Sequence, residues 1–101
     1  NLFFIKNNSV LTSKGEYCLN GITRSKAIYL CETNDIDCYQ KDFTFDEIKD
    51  CDEAFVTGTF AGIIPVSTLE NRKLSSINSN SLTNHIRGLY NHHIHENINK
   101  A

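Results

Sequence analysis

The sequence predicts an α+β fold, with strands and helices intermixed along one chain. Three observations carry this. Short runs rich in β-branched and aromatic residues, "LFFI" and "EAFVTGTFAGIIPV", read as strands. Two stretches, one from Thr23 and one from Ser81, read as helices, and turn-forming polar or glycine-bearing segments separate the two kinds. The 101 residues fit one domain at most, with elements too few to close a complete sheet unaided.

In order, "NLFFIKNNSVLTS" predicts a hairpin of two short strands around Asn7-Asn8, because asparagine tolerates the positive φ of a tight turn. From Thr23, the residues Ala27, Leu30 and Cys31 recur at helical spacing until Asn34-Asp35 ends the pattern, giving about three turns. "IDCYQKDF" alternates like a strand. "TFDEIKDC" opens with Thr44 and carries Glu47 three residues on, the spacing of a capping box over a short helix. "EAFVTGTFAGIIPVSTL" predicts two strands with a bend at Gly58 and Gly62, followed by a polar turn at "ENRK". "LSSINSNS" is a polar loop, and "SLTNHIRGLYNHHIHENI" predicts a terminal helix capped by Ser81 or Thr83. There is no internal repeat and no domain boundary.

The charge balance narrows the function classes. A formal net charge of −2 offers no basic field for nucleic acid and no polybasic face for a membrane, so a bound anion must be held locally. No apolar run approaches the roughly 20 residues that span a bilayer. The start, "NLFFIKNN", has neither the form of a signal peptide nor an initiating Met, and suggests a chain that begins inside a larger protein. Cys18, Cys31, Cys38 and Cys51 contain no CxxC pair, which points to free cytoplasmic thiols rather than a zinc or redox motif.

Two segments suit an anion. In "LNGITR", Gly21 permits an unusual backbone path, and the amides of Ile22 and Thr23 would be unpaired donors at a helix start, beside the Thr23 hydroxyl. The plainer reading is a turn with Thr23 as cap. In "TGTFAG", Thr57, Gly58 and Thr59 would offer hydroxyls and approachable amides at a strand end, unless the glycine is only a bulge. Two further clusters invite weaker hypotheses. His92 with His95 or Glu96 shares a helix face and could suggest a metal, though solvated imidazoles are the commoner case and no metal is assigned. The carboxylates from Asp50 to Glu53 could suggest acid–base chemistry or simply an acidic turn.

Read together, these segments resemble the class IV aminotransferases, the fold-type IV pyridoxal-phosphate enzymes. The resemblance is carried by Asn1-Leu2-Phe3, Val10-Leu11-Thr12 and Leu19-Asn20-Gly21-Ile22-Thr23-Arg24, by "DEAFVTGTFAGIIPV", and by "SLTNHIRGLY" as the family's terminal helix. It covers nearly the whole chain. It implies the C-terminal portion of the D-amino-acid-aminotransferase-like fold, with pyridoxal 5'-phosphate as cofactor. The cofactor phosphate would be held by Gly21, Ile22, Thr23, Gly58 and Thr59, with Leu19 against the pyridine ring. The amides of Thr59 and Phe60 would receive a substrate carboxylate.

The implied reaction moves an amino group between an amino acid and a 2-oxo acid in a cytoplasmic homodimer. Branched-chain substrates are the first expectation, with D-amino-acid transaminases and aminodeoxychorismate lyases as alternatives sharing the same cradle. The family's Schiff-base lysine and its pyridinium-pairing glutamate precede the motif that begins at Asn1. None of Lys6, Lys14, Lys26, Lys41, Lys49, Lys73 or Lys100 inherits that role, so the chain alone is expected to be inactive. A non-catalytic remnant serving assembly is the competing reading. One departure is "SSINSNSLT", where the family usually has a loop with Gly and Pro.

Overall fold

A computed structural model of the chain describes residues 1–14 and 21–100, with side chains as far as Glu96. Its centre is a five-stranded sheet in the order β3-β2-β1-β4-β5. The strands are β1 (Leu2–Lys6), β2 (Ser9–Thr12), β3 (Cys38–Gln40), β4 (Glu53–Gly58) and β5 (Gly62–Pro65). All neighbours run antiparallel except β2 and β3, whose parallel pairing requires the crossover helix α1 (Ile22–Thr33). The predicted hairpin forms as expected, with φ of 51° at Asn7 and 64° at Asn8, the mirror-image turn that matches strand twist.

Strand alternation divides the core between two faces. Phe3, Ile5, Val10 and Phe55 pack with Ala27, Leu30 and Cys31 of α1 and with Ile86 and Tyr90 of the terminal helix α3 (Leu82–Lys100). Phe3 and Phe55 are register partners, both fully buried, and their rings stack at 4.7 Å. Each such burial stabilises the fold by about 2–3 kcal/mol. The other face carries Phe4, Ile48, Cys51, Ala54 and Leu74, under the short helix α2 (Phe45–Ile48) and a two-stranded ribbon, β6 (Thr68–Leu69) and β7 (Arg72–Lys73). The ribbon turns at Glu70 and Asn71, both at positive φ, where the sequence predicts a polar turn.

The end of α1 follows the expectation. Asp35 takes φ 58°, the Ile36 amide returns to the Cys31 carbonyl at 2.9 Å, and Ile36 packs on the core. Other expectations are corrected. The capping box at Thr44 and Glu47 is not made: no side-chain bond caps α2, and Glu47 turns instead towards Lys41, 3.7 Å away. The strand expected in "IDCYQKDF" is paired only over three residues, the length that runs alongside β2. Ser81 caps α3 by accepting the Asn84 amide at 3.0 Å, whereas Thr83 is fully buried and its hydroxyl has no partner among the described residues. The loop before α3 is tied down without Gly or Pro: the Ser76 hydroxyl accepts the Ala54 amide at 2.8 Å, and Ser81 donates to the Ser76 carbonyl at 2.8 Å.

Candidate functional site

The sheet end at which β1 begins and β4 ends also receives the start of α1. The Thr57 amide donates to the Asn1 carbonyl at 2.9 Å, and a Cβ on Gly21 would sit 3.5 Å from the Asn1 side-chain nitrogen. The Thr23 hydroxyl donates to the Gly58 carbonyl at 3.1 Å. Three segments separate in sequence, opening at Asn1, Gly21 and Thr57, are therefore joined at one place.

Two predicted details change. Gly21 has φ −76° and ψ 148°, extended backbone open to any residue, so conformation does not demand glycine there. As the N-cap it brings no side chain to the first amides of α1. The Ser25 amide closes the first turn on the Gly21 carbonyl at 3.2 Å, leaving the amides of Ile22, Thr23 and Arg24 without intrahelical acceptors. The Thr23 hydroxyl is not a free donor: the side chain is buried and its one proton is directed at Gly58. What Thr23 offers an anion is its amide.

Gly58 and Gly62 are the last register pair of β4 and β5, so Thr59, Phe60 and Ala61 form the tip. The tip is exposed, Phe60 fully so, and Ile22 is 74% exposed. Gly62, rather than Gly58 or Gly21, is the glycine that geometry requires: its φ is +73°, and a Cβ would lie 2.8 Å from the Tyr90 ring. An open hollow of about 390 Å³ runs between the tip and α3, bounded by Thr59, Phe60, Gly62, Tyr90, Asn91 and His95. A larger hollow, about 470 Å³, lies on the opposite sheet face against Phe4, Leu11, Tyr39 and Ile48 and holds none of the sequence-predicted site residues.

Arg24 lies in the first turn of α1 and turns its guanidinium towards the ends of β2 and β3. It is buried, its Nη2 donates to the Ser13 carbonyl at 2.6 Å, and its Nε has no partner among the described residues. No acidic residue occupies the first turn of α1. Leu19, expected against the cofactor ring, lies outside the described residues, as does Cys18.

The other clusters resolve into structural roles. Glu53 is buried and accepts the Leu82 amide at 3.1 Å and the Thr83 amide at 2.7 Å, so it holds the start of α3. Asp50 pairs with Lys6 at 2.7 Å, which holds its carboxyl below the usual carboxylate range, and Asp52 accepts the Asn7 amide at 3.0 Å. His92 pairs with Glu96 at 3.2 Å, and among the described residues no three His, Cys, Asp or Glu side chains gather as a metal site. Among the described residues, no helix is long and apolar enough to cross a membrane.

The mixed sheet brings a helix start and a hairpin tip together at one end of an α+β fold. The family model for amino-transferase class IV matches residues 1–69, and the chain belongs to that family. It is 35% identical over 88 residues to a D-alanine aminotransferase of Bacillus licheniformis, covering 86% of this chain and 31% of that protein. It is 33% identical over 90 residues to a branched-chain-amino-acid aminotransferase of Pseudomonas aeruginosa, covering 89% and 29%. The fold matches an aminotransferase from Brucella abortus bound to pyridoxal phosphate with a TM-score of 0.85 and 27% identity, over 94% of this chain and 33% of that one. The chain thus spans about a third of the length of these relatives. Tyr90 and Glu53 were missed in sequence because their partners are distant, although Gly62 inside a β-rich run was a signal that something approaches closely.

Proposed function

We propose that this chain is the C-terminal portion of a pyridoxal-phosphate-dependent transaminase that moves an amino group between a branched-chain amino acid and a 2-oxo acid. The carrying observation is the Thr23–Gly58 bond, which joins the helix start to the tip hairpin. In this reading the amides of Ile22 and Thr23 and the hydroxyl of Thr59 hold the cofactor phosphate, with Gly21 and Gly58 leaving room for its approach. Leu19 packs on the ring. The amides of Thr59 and Phe60 hold the substrate carboxylate. The bound cofactor would supply the electron sink that lets the amino acid's α-carbon give up its proton. This chain's contribution is to hold two anions at fixed positions.

The branched-chain preference draws support from the "DEAFVTGTFAGIIPV" block and the Pseudomonas relative. A D-amino-acid specificity is the second reading, favoured by the Bacillus relative. The buried Cys31 and Cys51, both free thiols, support a reducing, cytoplasmic setting. The row Leu2, Val56 and Ile64, in register across three strands with Leu2 and Ile64 exposed, supports an apolar surface covered in the complete homodimer. The 101-residue chain alone is proposed to be inactive. The test compares transfer from L-leucine and D-alanine to 2-oxoglutarate by the protein encoded by the whole gene. Faster turnover of L-leucine supports the reading, D-alanine favours the second, and transfer from neither, or a start codon directly before Asn1, leaves the non-catalytic remnant.

A further inference from the structure

Tyr90 touches both turns of the cradle from behind. Its side chain is only 8% exposed, yet its hydroxyl reaches to 3.4 Å from the Thr23 hydroxyl, 67 residues away in sequence. Its ring occupies the space that a Cβ on Gly62 would need, at 2.8 Å. Thr23 belongs to the helix turn and Gly62 closes the hairpin tip, so a single side chain braces the two. The proton arithmetic gives the direction. Thr23 has one hydroxyl proton and directs it at Gly58, which makes the Tyr90 hydroxyl the donor towards Thr23. That donation polarises the Thr23 hydroxyl and strengthens its grip on Gly58.

We propose that Tyr90 is a positioning residue for the phosphate site, fixing the Thr23 turn and the Gly58–Gly62 tip relative to one another. The inference rests on the cofactor reading above. It assigns Tyr90 no contact with the cofactor; Tyr90 acts through Thr23 and through the space left by Gly62.

The test measures pyridoxamine 5'-phosphate affinity by amide-shift titration, together with thermal stability, for the chain itself and for Tyr90→Phe, Thr23→Val and the double variant. Tyr90→Phe keeps the ring against Gly62 and removes only the donor. It is expected to weaken binding about two- to fivefold while lowering the melting temperature less than Thr23→Val does, the modest loss suited to a long hydroxyl contact. Because the effect passes through Thr23, Tyr90→Phe should add nothing in the Thr23→Val background. Wild-type affinity in Tyr90→Phe, or an equal further loss in the Thr23→Val background, overturns the proposal while leaving the cofactor reading intact. Absence of saturable binding by the unaltered chain overturns both.

Discussion

The Thr23 hydroxyl and the Gly58 carbonyl meet at 3.1 Å across 35 residues of sequence, and this bond holds the start of α1 against the end of β4. Removing the hydroxyl takes this donor away from a partly buried contact at the Gly58 carbonyl. Thr23→Val should therefore destabilise the fold by about 1–3 kcal/mol, and Thr23→Ser should recover most of that, as read from urea unfolding midpoints. A Thr23→Val midpoint equal to wild type would show that the bond does not persist in solution.

Thr59 faces no such competition and stands exposed at the tip. Thr59→Ala should leave stability within about 0.5 kcal/mol while weakening a phosphate-bearing ligand by about 1.5–3 kcal/mol, the range for a hydrogen bond to a charged group. Paired calorimetric titration and thermal melts separate the two effects. Unchanged affinity removes the Thr59 hydroxyl from the phosphate assignment.

The two glycines Gly62 and Gly21 should behave oppositely. Gly62→Ala places a Cβ 2.8 Å from the Tyr90 ring at φ +73°, which predicts a loss of about 2–4 kcal/mol from backbone strain and overpacking together. Gly21→Ala meets only an ordinary 3.5 Å contact in extended backbone and should cost under about 1 kcal/mol. Equal losses at both positions would contradict this ranking.

Glu53 holds α3 by two backbone amides, and both are orphaned in Glu53→Ala. The expected destabilisation is about 3 kcal/mol, with Glu53→Gln retaining part of it. Hydrogen exchange at Leu82 and Thr83 reads this directly; protection surviving in Glu53→Ala would show another acceptor.

Burial pushes the Cys51 thiol above its ordinary value of 9.0, so folding favours the protonated form. The resulting stability is complete below that ordinary value and drains away as pH rises through and beyond it. Melting temperature should fall above about pH 9, more steeply in wild type than in Cys51→Ala. Identical slopes would show that Cys51 does not contribute.

The readable parts of the sequence were those whose cause is local. Asn7-Asn8 announces its turn because two adjacent residues tolerate positive φ, and α1 ends where Asp35 alone takes positive φ after Asn34. The site was readable as three short motifs that meet at one sheet end, although their meeting rests on pairings between β1, β4 and α1 that no single motif specifies. Long-range partners were hidden. Glu53 read as one more carboxylate in an acidic turn until α3, nearly 30 residues on, came to rest on it. Tyr90 read as one aromatic in a helix, and its meeting with Gly62 and Thr23 depends on how α3 crosses the sheet. The unusual backbone path expected at Gly21 is absent, because φ −76° and ψ 148° are open to any residue, and what glycine leaves there is a bare approach to the neighbouring amides. Thr44 with Glu47 has capping-box spacing, yet Glu47 lies within reach of Lys41 and the four-residue helix closes through its backbone.

The central claim is that the start of α1 and the tip of the β4–β5 hairpin form one anion cradle. Titrating the ¹⁵N-labelled chain with pyridoxamine 5'-phosphate and following individual amides tests it most directly. The amides of Ile22, Thr23 and Thr59 should shift together and saturate with a single dissociation constant. Shifts confined to the histidine-bearing end of α3, or saturating with unrelated constants at the two turns, would contradict it.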